Sequence, residues 1–213
     1  MKKFFFWIYH NTLLGKIMIY TFHYSKNNLW PAEWVVRYNY WKRRKKSLNL
    51  KNPQTLNEKI NWLKLYDKRP LHTQCADKYE VRKYVIEKIG EEYLVPLYFE
   101  TQNPQEIKPE NLPDFPSIIK ANHDSSGGVF VYDKSKLDYK HLQEVFRKRL
   151  INNYYNKTKE WQYKNIVPRV IVEKLLITED GKIPLDYKVH CFNGKAHMIQ
   201  VDIGRGTDKH YRN

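Results

Sequence analysis

The run Ser117–Asp133 (SIIKANHDSSGGVFVYD) holds the residues best suited to chemistry. An apolar stretch ends at Lys120, a small polar loop of Asn122, His123, Asp124, Ser125, Ser126, Gly127 and Gly128 follows, and a second apolar stretch starts at Val129. Successive backbone N–H groups in such a loop form a concave seat for an anion, and a lysine at its rim adds positive charge, so the pattern suits a polyphosphate. Glycine serves where the backbone must come close to the ligand, since any Cβ would hold it away. The same Gly-Gly pair between β-rich runs also reads as an ordinary hairpin turn, and these residues alone leave both readings open. Neither G-x-x-x-x-G-K-[ST] nor G-x-G-x-x-G occurs, which excludes a Walker-type loop and a dinucleotide fingerprint. Farther on, Val172-Glu173-Lys174-Leu175-Leu176 ends a strand-like run with a carboxylate and backbone groups able to hydrogen-bond an adenine, and Asp186-Tyr187-Lys188 supplies a second lysine. His123 has the chemistry of a general base, but no partner carboxylate can be assigned to it, so a hydrogen bond within its own loop is the expectation.

The elements that must position these groups are readable in outline. The chain divides near Ser47, with an aromatic, basic arm before it and regular patterning after it. Thr55-Leu-Asn-Glu58 has capping-box order, and Leu56, Ile60 and Leu63 follow at helical spacing, which predicts a helix over about 55–66. A second helix, about 72–89, is marked by Val81, Val85 and Ile89 and closed by Gly90. The charged residues of these helices, among them Lys59, Lys64, Asp77, Lys78 and Arg82, read as a solvated face. Residues 93–99 read as a strand, 103–116 as a proline-rich connector, 118–120 and 129–132 as the two arms of the hairpin, and 138–152 as a helix. Residues 169–177 read as a strand running into a turn at Glu179-Asp180-Gly181. Strands over 184–192 and 195–203 meet at Asn193-Gly194, the preferred type I′ hairpin dipeptide. No internal repeat or low-complexity tract is present.

Composition bounds the partners. At 213 residues, 41% hydrophobic and 29% charged, the chain reads as a globular protein of one or two domains. A net charge of +15 favours an anionic partner, whether nucleotide, acidic polysaccharide, anionic membrane or nucleic acid. Cys75 and Cys191 lie far apart without metal-ligand spacing, so a reducing compartment and buried thiols are expected. In residues 1–24 the apolar run is interrupted by His10, Asn11, Gly15 and Lys16 and lacks a small-residue cleavage site, which disfavours both secretion and a membrane span. A helical arm packed on the body is the favoured expectation. An interfacial helix backed by the basic block Lys42-Arg43-Arg44-Lys45-Lys46 is the alternative.

Taken in order, a lysine strand, glycine loop, helix, V-E-K-L-L hinge and D-Y-K hairpin resemble the ATP-grasp fold. More narrowly, NPQTLNEKINWLKLYD (52–67), DKYEVR (77–82), IKANHD (119–124), EWQYKNIVPR (160–169) and DYKVHCFNGK (186–195) are similar to the TupA-like ATP-grasp family of surface-polysaccharide gene clusters, over about residue 48 to the C-terminus. The resemblance implies an α+β fold of two lobes with antiparallel sheets, preceded by the arm at 1–47. The body, 48–213, would comprise N-terminal helices at 55–89, a nucleotide lid at about 115–175 and an incomplete catalytic lobe at 176–213.

It further implies that Lys120 contacts ATP phosphate and that Asn122, His123, Ser125, Ser126, Gly127 and Gly128 close over it. Glu173 would accept the adenine amino group, the backbone of Lys174 and Leu176 would read the ring edge, and Asp180 would reach the ribose. Lys188 would be a second phosphate cation, while Arg205 or Arg212 would hold a carboxylate or its acyl phosphate. The implied reaction is ATP- and Mg2+-dependent joining of a carboxylate, such as an acidic sugar, to an amine donor in capsule or other cell-envelope polysaccharide synthesis. The implied place is the cytoplasm, with membrane-surface contact through the arm. The chain ends at Asn213 with no E-x-N stretch after the last hairpin, so the expectation is a domain that ends early and turns over slowly; Asp202 and Asp208 are metal ligands by type only. A glycosyltransferase would instead bind a nucleotide sugar, but no D-x-D is present. A nucleic-acid module would show steep salt dependence and ranks last, so no nucleic acid is expected.

Overall fold

The computed structural model describes residues 11–125, 127–204 and 210–213. The arm forms two helices, α1 (Leu13–Asn28) and α2 (Ala32–Arg44), and then α3 (Leu56–Tyr66). The Thr55 hydroxyl accepts from the Glu58 N–H and the Glu58 carboxylate accepts from the Thr55 N–H, so the expected capping box is formed. The buried side chain of α3 is Leu65, which joins Val36, Leu48 and Leu50 in a small core. Leu56, Ile60 and Leu63, whose spacing predicted the helix, are exposed.

The expected second helix is two helices, α4 (Pro70–Ala76) and α5 (Val81–Ile89). The break lies at Asp77, whose carboxylate accepts from the Tyr79 and Glu80 N–H groups and turns the chain there. Beyond α5 comes a four-stranded antiparallel sheet of β1 (Leu97–Thr101), β2 (Ser117–Ala121), β3 (Val129–Val131) and β4 (Val170–Lys174), in the order β1-β4-β2-β3. Between β3 and β4 lie α6 (Tyr139–Ile151), N-capped by Asp138, and the short α7 (Tyr154–Thr158). One face of the sheet meets α6: Ile119, Ala121, Val170 and Val172 pack with Leu142 and Phe146, forming the main core. Strand period two therefore puts Ile118, Lys120 and Glu173 on the opposite face.

The second sheet is the meander β5 (Asp186–Phe192), β6 (Lys195–Ile203) and β7 (Tyr211–Arg212), all antiparallel. Its first turn is the expected Asn193-Gly194, with φ of +50° and +75° as a type I′ turn requires. The fold is thus α+β with two antiparallel sheets, as expected. The expectation of buried thiols fails: Cys75 and Cys191 are both free and exposed.

Candidate functional site

The site is built on two neighbouring strands whose register decides everything else. Ile118 pairs with Glu173 and Lys120 with Ile171, so Lys120 and Glu173 are diagonal neighbours on one face, and the Lys120 ammonium stands 2.6 Å from Glu173 Oε2. Arg82, reaching in from α5, places its guanidinium 3.6 Å from Glu173 Oε1 and donates to the Val95 carbonyl at 2.8 Å. Glu173 is buried, and both of its oxygens face cations. The sequence reading gave Lys120 and Glu173 separate ligand contacts; the structure brings them together, with Glu173 orienting the lysine.

The loop above them is anchored from below. Asn122 is fully buried; its amide nitrogen donates to Asp77 at 2.8 Å and to the Val167 carbonyl at 2.9 Å, and its amide oxygen accepts from the Arg169 N–H at 2.7 Å. The Asn122 backbone N–H donates to the Arg169 carbonyl, so neither end of this residue is turned to a ligand. The Lys78 ammonium donates to the carbonyls of Ala121 at 3.2 Å, Asn122 at 3.4 Å and Asp124, and burial pushes its pKa down. His123 is buried between the Asn122 amide oxygen and the Asn152 carbonyl, each 3.2 Å from a ring nitrogen. That is the hydrogen-bonded loop position expected of it.

The outer part of the loop is open. Ser125 and Gly127 are exposed, and Ser126 lies outside the described residues. Gly127 has φ +77°, a left-handed conformation natural to glycine, with nothing within 4 Å of where a Cβ would be. Gly128 needs to be glycine for a different reason: a Cβ there would sit 2.5 Å from Ile118 Cγ1 and 3.0 Å from the Ile119 carbonyl. Sequence reasoning missed Asp77, Lys78 and Arg82 as part of this framework, counting them as a solvated face. Their clustering in the DKYEVR motif was the available clue.

After β4 the chain leaves between two proline carbonyls, the Lys174 N–H donating to Pro96 and the Leu175 N–H to Pro116. A cleft of about 440 Å³ opens there, lined by Tyr98, Phe115, Pro116 and residues 174–177, with the Tyr98 and Phe115 rings 4.8 Å apart. An apolar, aromatic-walled cleft suits a flat heteroaromatic ring. Lys174 and Leu176 are at its wall. Asp180 lies in the next turn, where the Lys182 ammonium and the Thr178 hydroxyl hold its carboxyl down at about 2. A larger cavity, about 610 Å³, is lined by Lys68, Asp77, Trp161, Asn165 and Arg169 among others, and contains no residue the sequence reading had assigned to ligand.

Lys188 belongs to a separate cluster on the second sheet. Its ammonium lies 2.8 Å from Asp186 and 2.5 Å from Asp202, which also accepts from the Gln200 amide at 2.8 Å and faces Arg212 at 3.3 Å. The Lys188 ammonium, and the Gln200 amide after it, hold the Asp202 carboxyl down at about 2; in return, Asp186 and Asp202 raise the lysine. The structure thus pairs Lys188 with its own sheet and not with the Lys120 loop. Arg205 and Asp208 lie outside the described residues.

Among the described residues, no three His, Cys, Asp or Glu side chains come together as a metal site. Both Asp202 oxygens already face cationic or amide donors, so this donor set does not fit a divalent cation.

Comparison with known families matches residues 58–213 to the TupA-like ATP-grasp model. No curated protein and no solved structure matches the chain.

Proposed function

The chain belongs to the TupA-like ATP-grasp family, and on that premise we propose that it binds ATP at the Lys120 loop and activates a carboxylate for joining to an amine. The observation that carries the reading is the Lys120–Glu173 pair: an ammonium oriented by a buried carboxylate, beneath an exposed glycine loop and next to an aromatic-walled cleft. Lys120 neutralises phosphate charge, and the N–H groups of the outer loop, from Ser125 to Gly128, cover the phosphates. The adenine lies in the cleft walled by Tyr98 and Phe115, its edge read by the Lys174 carbonyl and the Leu176 N–H, because the Lys174 and Leu175 N–H groups are already engaged.

In the reaction, a substrate carboxylate oxygen attacks the terminal phosphorus and ADP leaves. The amine then attacks the acyl carbon and phosphate departs, leaving an amide. This chain's part is to bind, align and screen charge, which is most of what phosphoryl transfer asks of a protein. ATP-grasp proteins use ATP with Mg2+. The described residues do not form a seat for that ion, so no step is assigned to it. We place the activity in cytoplasmic assembly of cell-surface polysaccharide, with an acidic sugar or other carboxylate as acceptor.

The test is calorimetric titration of ATP into wild type and Lys120→Ala. Loss of one phosphate cation should weaken binding by about tenfold or more. Equal affinity in the two proteins removes the basis for this assignment.

A further inference from the structure

Helix α1 is apolar on two sides. Its inner side, Ile19 and Phe22, packs into the arm, where the Phe22 ring meets those of Trp30 and Tyr38 edge-on at 5.9 and 5.8 Å. Asn27, at the end of α1, is tied to the body by the Lys159 ammonium, which donates to its carbonyl at 2.7 Å. The outer side presents Leu13, Leu14, Ile17, Met18, Tyr20 and Tyr24 to solvent, each between 49% and 76% exposed. These residues follow i, i+4, i+7, i+11 spacing with a second row beside it, one continuous stripe. Folding has not buried it, and α1 contains no acidic residue.

The arm that carries the stripe also holds an excess of positive charge. The exposed Lys42 and Lys157 lie near the C-terminal end of α1, close enough to add to burial in lowering the pKa of His23 and of Lys26, which is itself buried on the inner side with its ammonium 3.4 Å from Asn39 Oδ1. None of these lysines has a carboxylate within 4.0 Å among the described residues, although the rest of the chain pairs many of its cations. Residues 11–47 hold Lys16, Lys26, Arg37 and the block 42–46 against a single acid, Glu33, which Arg37 already engages. The exposed Trp41 carries Lys45 over its ring at 5.2 Å, an aromatic and cationic pairing suited to the depth of lipid headgroups.

We propose that the outer face of α1, with the exposed Lys42 and Lys157 near its C-terminal end, is a docking surface for an anionic phospholipid bilayer. A polyanion such as RNA would neutralise the lysines but leave six aliphatic and aromatic side chains in water. A bilayer meets both requirements, headgroup phosphate for the ammoniums and acyl chains for the stripe. The helix lies in the interface and does not cross: its 16 residues span roughly 24 Å, short of a hydrocarbon core of about 30 Å. No described helix is long and apolar enough to span.

The experiment is sedimentation of the full chain with phosphatidylcholine vesicles and with vesicles containing phosphatidylglycerol, at low and high salt. The expected result is binding to the anionic vesicles only, weakened by salt. It should fall by about tenfold or more in Ile17→Glu/Met18→Glu and in Lys42→Gln/Lys157→Gln. Thermal unfolding and ATP affinity of both variants, measured alongside, should match wild type, which separates this surface from the nucleotide site. No sedimentation with anionic vesicles overturns the proposal. So does equal binding to both vesicle types, RNA binding without vesicle binding, or a self-association that Ile17→Glu/Met18→Glu abolishes while vesicle binding persists.

Discussion

Replacing Asn122 with alanine tests whether the base of the loop is held as the geometry indicates. Asn122 is fully buried and its side chain ties three separate segments: Asp77 before α5, Val167 and Arg169 ahead of β4, and His123 in the loop. In Asn122→Ala, Asp77 retains the Tyr79 and Glu80 N–H groups and loses little. The Arg169 N–H loses its acceptor and the Val167 carbonyl its donor. A buried group left unpaired costs about 1–3 kcal/mol, and the Val167 end, next to an exposed residue, can recover water. The expected loss is therefore about 2–4 kcal/mol, a large part of a typical folding free energy of about 5–15 kcal/mol. Urea unfolding should show a lower midpoint with unchanged slope, the mark of lost stability rather than altered compactness. Asn122→Asp keeps the acceptor oxygen but points a second oxygen at Asp77, 2.8 Å away, so it should be at least as destabilised near neutral pH. A cost under about 1 kcal/mol for Asn122→Ala, or an Asp variant more stable than the Ala variant, would refute the network.

Other outcomes follow from the same geometry. Gly128→Ala should cost about 1–3 kcal/mol, since its Cβ would meet Ile118 at 2.5 Å, and Ile118→Ala should recover part of that in the double variant. Thermal melts of the singles and the double check both statements. Asp202 has a folded pKa of about 2, below the ordinary carboxylate value, so its contribution is complete above about pH 4 and disappears as pH falls toward 2. The Tm gap between wild type and Asp202→Asn should accordingly hold steady from pH 7 to about 5 and close on further acidification; a gap that widens in acid would contradict the ion cluster. Cys75 and Cys191 are exposed, so a thiol reagent should titrate both in the native protein, and reaction of only one without denaturant would count against the structure.

What the sequence determined by itself is what neighbouring residues decide among themselves. Thr55 and Glu58 are three residues apart and cap α3 wherever the helix lies, and Asn193-Gly194 turns its hairpin through backbone angles those two residues prefer. The order of lysine strand, glycine loop and hinge was legible along the chain, and the α+β class was implied by the family that this order resembles. Which side of an element faces inward was not. Helical spacing of Leu56, Ile60 and Leu63 predicted the helix and not its inner side; Leu65 is the residue buried, because Val36 of the arm, with Leu48 and Leu50, packs on that side of α3. Asp77, Lys78 and Arg82 looked like solvated charges, and they became the supports of the loop and of Glu173 only when the chain brought residues 45 or more positions apart into contact. The Lys120–Glu173 pair spans 53 residues and depends on the antiparallel register of β2 against β4. A shift of one residue would turn the pair to opposite faces. Tertiary structure alone decided these matters because an ion pair or buried amide is set by distance in space, and local preference fixes distance only along the chain.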